Sequence, residues 1–229
     1  MTRTKSSIHT PSAAQISAMK VVLFLACLIP AALLAWGAYA DTLGANPIEA
    51  ITRGSGEWTL RFLLITLAVT PLRRLSGLHW VLRFRRMLGL YAFAYGCAHL
   101  LTYVWLDQFF DLGAIALDIL KRPFITVGFA AFVLMTPLAI TSNAYMIKRL
   151  GGRKWQSLHR SVYAIAIMGV VHFWWLVKKD LTWPIIYAVI LAVLLGMRAW
   201  WRNQERERQL QGAYLRPPGP GRIIKIIAK

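Results

Sequence analysis

The stretch Leu158-His159-Arg160-Ser161-Val162-Tyr163-Ala164-Ile165-Ala166-Ile167-Met168-Gly169-Val170-Val171-His172-Phe173-Trp174-Trp175-Leu176-Val177 decides how this chain reads. It carries a single formal charge, Arg160, and a histidine near each end. A helix over these residues places His159 and His172 ~20 Å apart along its axis. That is near opposite faces of a hydrocarbon layer ~30 Å thick. Such a helix is suited to present two imidazoles to cofactors at two depths, and the remaining sequence has to supply their partners.

Composition sets the class. Of 229 residues, 57% are hydrophobic, and the mean hydropathy is +0.50. Apolar residues gathered in long charge-free runs indicate an all-α integral membrane protein. The net charge of +18 does not indicate a nucleic-acid partner, because the basic residues sit in short segments between apolar runs rather than on one soluble face. Cys27 and Cys97 both lie inside apolar runs, so there is no disulfide framework and no CxxC metal motif.

Working outward, six spans emerge, at about residues 21–40, 58–72, 87–106, 123–141, 158–177 and 181–197. Residues 1–20 read as a cytoplasmic tail, 21–201 as a six-helix transmembrane domain, and 202–229 as a basic, disordered cytoplasmic tail. The first span also fits a signal-peptide pattern, with Ala38-Tyr39-Ala40 before Asp41, although its apolar run is long for that role. Asn46-Pro47-Ile48-Glu49 and Gly54-Ser55-Gly56 read as turns in an outer loop over 41–57. Residues 107–122 read as a second outer loop. With both termini inside, the tails, the two inner loops and Arg160 hold 21 Lys/Arg and 2 acidic residues, and the outer segments hold 6 and 7. This asymmetry is what the positive-inside rule requires, and it places both termini in the cytoplasm.

Orientation assigns depth to the histidines. His99 lies twelve residues into the third span, ~18 Å from its cytoplasmic start. His172 lies ~21 Å along the fifth span from Leu158. Two histidines at matched depth on helices running the same way can ligate one haem iron from both sides. His159 falls at the inner edge as a further candidate ligand. Gly89, Ala92 and Gly96 flank His99, and Val162, Ala166 and Gly169 lie between His172 and His159, so small residues would leave room for a macrocycle. The same residues also serve close helix packing. His9 and His79 sit in a tail and a loop and read as solvated. No span contains Asp or Glu, the usual companions of a proton relay.

The six spans, one histidine on the third and a pair 13 residues apart on the fifth resemble the ferric-reductase-like transmembrane domain of NADPH oxidases, ferric reductases and STEAP proteins. Four features resemble, more narrowly, the MsrQ (YedZ) family of haem-binding membrane subunits. They are Leu43-Gly44-Ala45-Asn46-Pro47-Ile48-Glu49, Arg85-Arg86-Met87-Leu88-Gly89-Leu90, His99, and Trp155-Gln156-Ser157-Leu158-His159-Arg160. The resemblance implies a multi-pass protein of the bacterial inner membrane holding haem b, with His99, His159 and His172 on the family's haem-linked positions. It implies electrons taken from the quinone pool or a cytoplasmic flavin reductase. They would pass to a periplasmic MsrP-like molybdenum enzyme that reduces methionine sulfoxide, so the catalytic site would lie on that partner and no catalytic residue on this chain. It also implies a bound FMN.

One departure from the NADPH-oxidase pattern stands out. The third-span positions that would pair with His159 are Arg85 and Arg86, and arginine stays protonated and cannot ligate iron. Arg85, Arg86, Trp155 and Arg160 would instead suit an FMN phosphate and ring, or a quinone. The chain has no GxGxxG after a strand and no soluble domain able to bind NADPH. Two other functions stay open from sequence: a self-sufficient ferric or oxygen reductase, and a cofactor-free transporter or structural subunit.

Overall fold

The computed structural model describes residues 10–177 and 179–214. Helix α1 runs over Ala13–Tyr39, opened by a capping box in which Ser12 and Gln15 bond each other's backbone. The chain is therefore already helical through much of the expected N-terminal tail. Pro30 has no N–H to give the α1 ladder. Tyr95 Oη donates to the Cys27 carbonyl at 2.8 Å and accepts from the Ala31 amide at 2.9 Å, so it bridges the turn of α1 that contains Pro30. Tyr91 Oη donates to the Phe24 carbonyl one turn earlier. These two tyrosines bond α1 into the bundle. Tyr95→Phe removes both of these bonds from an apolar setting, so the expected cost is ~1–3 kcal/mol. It would be read as a lowered unfolding midpoint in detergent, and an unchanged midpoint would refute the bridging role.

Helix α2, Pro47–Ser76, begins where a turn was expected. Asn46 accepts from the Glu49 amide, and Pro47 occupies the first turn. Gly54-Ser55-Gly56 lies inside α2 rather than in a loop, because the two glycines admit neighbours. A Cβ on Gly54 would stand 2.9 Å from Leu34 of α1, and one on Gly56 3.0 Å from the His99 ring. The helix ends at Gly77 in the left-handed region, φ 72°. Arg61, inside α2, bonds Glu57 at 2.7 Å and Tyr187 Oη at 2.8 Å, with its guanidinium over Trp58.

A short 3-10 segment, His79–Phe84, leads into α3, Arg85–Thr102, which relaxes into a π turn over Tyr103–Asp107. The expected second outer loop contains an amphipathic helix, α4, Leu112–Lys121, capped by Asp111 through the Ala114 amide. Helix α5 spans Pro123–Ile140, and two short helices follow, α6 (Ala144–Leu150) and α7 (Gly152–His159).

The opening stretch is two helices, not one. His159 ends α7, and α8 starts at Val162. At Arg160-Ser161 the backbone tightens: the amides of Arg160, Ser161 and Tyr163 bond carbonyls three residues back, and Ser161 Oγ takes the Leu158 carbonyl. A serine hydroxyl competing for a ladder carbonyl favours such a local bend. Helix α8 ends at Leu176, and α9 runs from Thr182 to Tyr214. Disorder over 202–229 is therefore corrected for 202–214, which continue the last helix, while 215–229 lie outside the described residues.

Among the described residues, four helical stretches are long and apolar enough to cross a membrane: Ala13–Tyr39, His79–Asp107, Pro123–Ile140 and Thr182–Gln211. The other two expected spans fall on α2, which carries four charged residues in its first half, and on α8, which has only 15 residues. Both are central. Leu60, Leu64 and Leu67 of α2 pack with Ala166 and Val170 of α8 and with Tyr187 and Leu191 of α9. Phe62 of α2 stacks with Tyr91 and Tyr95 of α3. Large apolar side chains such as Leu25, Leu33, Val189 and Val193 are exposed on α1 and α9, as lipid-facing helices require.

Candidate haem site

The bundle is organised as two close helix pairs, α2 with α3 and α5 with α8. Each pair treats one histidine in the same way. His99, one turn from the end of α3, bonds through Nδ1 to the Thr52 carbonyl of α2 at 2.8 Å. His172, one turn from the end of α8, bonds through Nδ1 to the Phe124 carbonyl of α5 at 2.6 Å. In both cases a glycine stands four residues after the accepting carbonyl, on the same helix face. A Cβ on Gly56 would lie 3.0 Å from His99 Nδ1 and Cε1, and one on Gly128 would lie 2.6 Å from His172 Nδ1. Glycine is what lets each imidazole lie against the neighbouring backbone.

A carbonyl can only accept, so each Nδ1 carries its proton and each Nε2 keeps a lone pair. Nδ1–H bonded to a backbone carbonyl is the usual way a metal-binding histidine is oriented. The Nδ1–Cε1 edge of each ring faces its glycine, and Nε2 has no hydrogen-bond partner among the described residues. The two rings meet each other, with centroids 6.1 Å apart and planes at 75°. Two imidazoles sharing one metal through Nε2 have centroids roughly 6 Å apart, from two bonds of about 2.0 Å and about 1.1 Å from nitrogen to ring centre. The residues present therefore fit an axial pair. No cluster of three or more His, Cys, Asp or Glu occurs among the described residues, so the pair stands without the carboxylate or thiolate ligands of an ordinary metal site.

The glycines that the sequence suggested are not the ones that make the room. Gly96 faces Met135, Gly89 faces Thr66 and Gly169 faces Leu60. Of the two glycines on the helices opposite the histidines, Gly56 read only as part of a turn and Gly128 was not singled out. Their signal is a glycine four residues after a backbone carbonyl, which sequence shows only once the partner helix is known.

His159 sits differently. Its Nε2 is 3.0 Å from Thr141 Oγ1, its ring stacks on Trp155 at 3.9 Å, and Trp155 Nε1 donates to the Thr141 carbonyl. The Thr141 hydroxyl gives its own proton to the Pro137 carbonyl, so it accepts from His159 Nε2–H. The ring nitrogen that is free in His99 and His172 is thus engaged in His159, which is the structural counterpart of its missing third-span partner. Arg85 is its charged neighbour. Arg86 and Arg160 are exposed, whereas Arg85 and Trp155 are half-buried. Arg85, Trp155 and His159 therefore gather at one end of the bundle, with Arg86 and Arg160 turned to its surface. Sequence reasoning missed Arg198, which donates to Tyr163 Oη at 3.0 Å and to the Leu67 carbonyl. His79 is exposed at the start of its 3-10 segment, and His9 lies outside the described residues.

Comparison with known proteins agrees with this architecture. Residues 55–170 match the family described as ferric reductase like transmembrane component. A curated relative from Azospira oryzae, the protein-methionine-sulfoxide reductase heme-binding subunit MsrQ, is 64% identical over 199 residues, covering 86% of this chain and 84% of its own. Proteins of the same name from Herminiimonas arsenicoxydans and Rhodospirillum rubrum are each 55% identical, covering 86% and 78% of this chain and 92% and 86% of their own. No solved structure matches. With half its length in the transmembrane family and nearly all of its helical part shared with these relatives, the chain belongs to the ferric-reductase-like transmembrane family and, within it, to the MsrQ family.

Proposed function

We propose that the chain is the haem-binding membrane subunit of a protein-methionine-sulfoxide reductase. In this reading it carries electrons across the bacterial inner membrane, from the cytoplasmic side or the quinone pool to a periplasmic MsrP-like molybdenum enzyme that repairs oxidised proteins. The observation that carries the proposal is the His99–His172 pair, with Nδ1 tied to Thr52 and Phe124 and the rings 6.1 Å apart. These two residues would hold haem b, which supplies a one-electron redox centre when bound. The relatives' shared name, heme-binding subunit, supports the same reading.

The chain's own residues do the positioning. The Thr52 and Phe124 carbonyls select the tautomer, Gly56 and Gly128 admit the rings, and the apolar walls of α2, α3, α5 and α8 keep water away. Six spans fit if α1, α2, α3, α5, α8 and α9 all cross, with both termini cytoplasmic. Helix α8 is only ~22 Å long, and α7 with its tight turn would complete it at the inner face. In α2 the Arg61 charge is met by Glu57 and Tyr187 within the bundle. Arg85, Trp155 and His159 lie where a quinone, or an FMN delivered from a cytoplasmic reductase, would meet the protein, flanked by the exposed Arg86 and Arg160.

The test uses the purified full-length protein. The expected result is a reduced-minus-oxidised haem b spectrum of low-spin character, with electron delivery to a periplasmic methionine-sulfoxide reductase and little reduction of chelated ferric iron or oxygen in its absence. A protein that purifies folded and without haem would overturn the proposal. Rapid partner-free ferric or oxygen reduction would replace it with the self-sufficient reductase.

A further inference from the structure

Helix α2 ends in Arg73-Arg74, and α9 passes beside that end after its apolar run closes in Trp200-Trp201. Between the two helices lies a cavity of about 400 Å³, lined by Arg73, Arg74, Trp201, Gln204, Glu205 and Arg208. Its charges are unequal, three guanidinium groups against one carboxylate. Glu205 is committed to Arg74 at 2.7 Å, and the Arg74 guanidinium also lies over Trp201 at 5.0 Å. Arg73 and Arg208 have no ion-pair partner among the described residues. Arg73 Nε is buried and has no hydrogen-bond partner among the described residues.

An arginine in the last turn of a helix is ordinarily explained by the dipole. That explanation covers the charge of Arg73 but not its buried, unbonded Nε, and it does not bring in Arg208 from another helix. Arg73 and Arg208, neither ion-paired among the described residues, bring two positive charges to one cavity, where an anion between them would be stabilised by both.

We infer that this cavity is a phosphate-binding site. Guanidinium forks match phosphate oxygens in paired hydrogen bonds. The carboxylate within reach is neutralised by Arg74, so it does not repel the ligand. The adjoining Trp200-Trp201 pair marks the membrane interface, the level of lipid headgroups. The phosphate belongs either to an anionic phospholipid, with its glycerol against Trp201, or to a soluble phosphate reaching the same arginines from the cytoplasm.

The experiment places the full-length protein in nanodiscs of phosphatidylcholine, with or without phosphatidylglycerol. Retained lipid is read by native mass spectrometry, and inorganic phosphate binding in phosphatidylcholine alone is read by equilibrium dialysis. Arg73→Gln with Arg208→Gln is expected to weaken retention of the anion about thirty-fold, two interfacial cations being lost. Gln204→Glu adds a carboxylate to the cavity wall without touching an arginine, and it is expected to weaken retention in the same direction if the double variant does not fold. Arginine-dependent retention of phosphatidylglycerol assigns the lipid as source, and arginine-dependent binding of inorganic phosphate assigns the soluble one. Neither anion distinguishing wild type from Gln204→Glu and the arginine variant would overturn the inference.

Discussion

Alanine at His99 or at His172 is expected to abolish the low-spin bis-imidazole spectrum, each alone as completely as both together. In the proposed site the two rings would hold one iron together, and removing either leaves a single imidazole for it. Each histidine is held by one carbonyl on one neighbouring helix, Thr52 for His99 and Phe124 for His172. Each loss should exceed the roughly 10–100-fold fall in affinity typical of removing a ligand's hydrogen-bond partner. His159→Ala is expected to keep the low-spin signal of the His99–His172 pair, because its Nε2 is turned to Thr141. Spectra of the three single variants, normalised to protein, check this. Retention of the low-spin signal in both His99→Ala and His172→Ala would remove the pair from the mechanism.

The second large effect is expected from a residue that has no chemistry of its own. Gly128→Ala puts a methyl group 2.6 Å from His172 Nδ1, closer than any real contact of that kind. Neither the α5 backbone nor the imidazole can yield without breaking the bond to the Phe124 carbonyl. Glycine to alanine inside a helix would otherwise stabilise by about 1 kcal/mol, whereas overpacking costs about 1–3 kcal/mol. The expected outcome is a fall in haem affinity of about 10–100-fold with loss of the low-spin line shape. Gly56→Ala, at 3.0 Å from His99, is expected to act in the same direction and less strongly. Gly89→Ala meets only Thr66 at 3.7 Å and serves as the control, with haem occupancy unchanged and thermal stability equal or higher. Equal haem occupancy in the Gly128 and Gly89 variants would show that the ring does not depend on the glycine.

These two expectations separate what is local in this protein from what is not. Hydropathy and charge are properties of short stretches, so the membrane class and the apolar spans could be read from residues alone. The depth of His99 and His172 follows from a fixed rise per residue, and their meeting at 6.1 Å agrees with that arithmetic. The ends of elements were less legible. Gly54-Ser55-Gly56 has the composition of a turn and is helical because Leu34 and His99 press against it. Ser161 looks like an ordinary position of a long helix, yet its hydroxyl takes the Leu158 carbonyl where the backbone shifts to i−3 bonds between one helix and the next.

By itself the sequence determined that the chain is an all-helical membrane protein of the ferric-reductase-like kind, with His99 and His172 at one depth. Only the tertiary structure decided which backbone carbonyls orient those rings, which glycines admit them, that Tyr95 bridges α1 beside Pro30, and that His159 bonds Thr141. The physical reason is rotational. Depth along a helix is counted in residues, but the neighbour a side chain meets depends on how each helix is turned against the next. That rotation is set by packing between residues far apart in sequence.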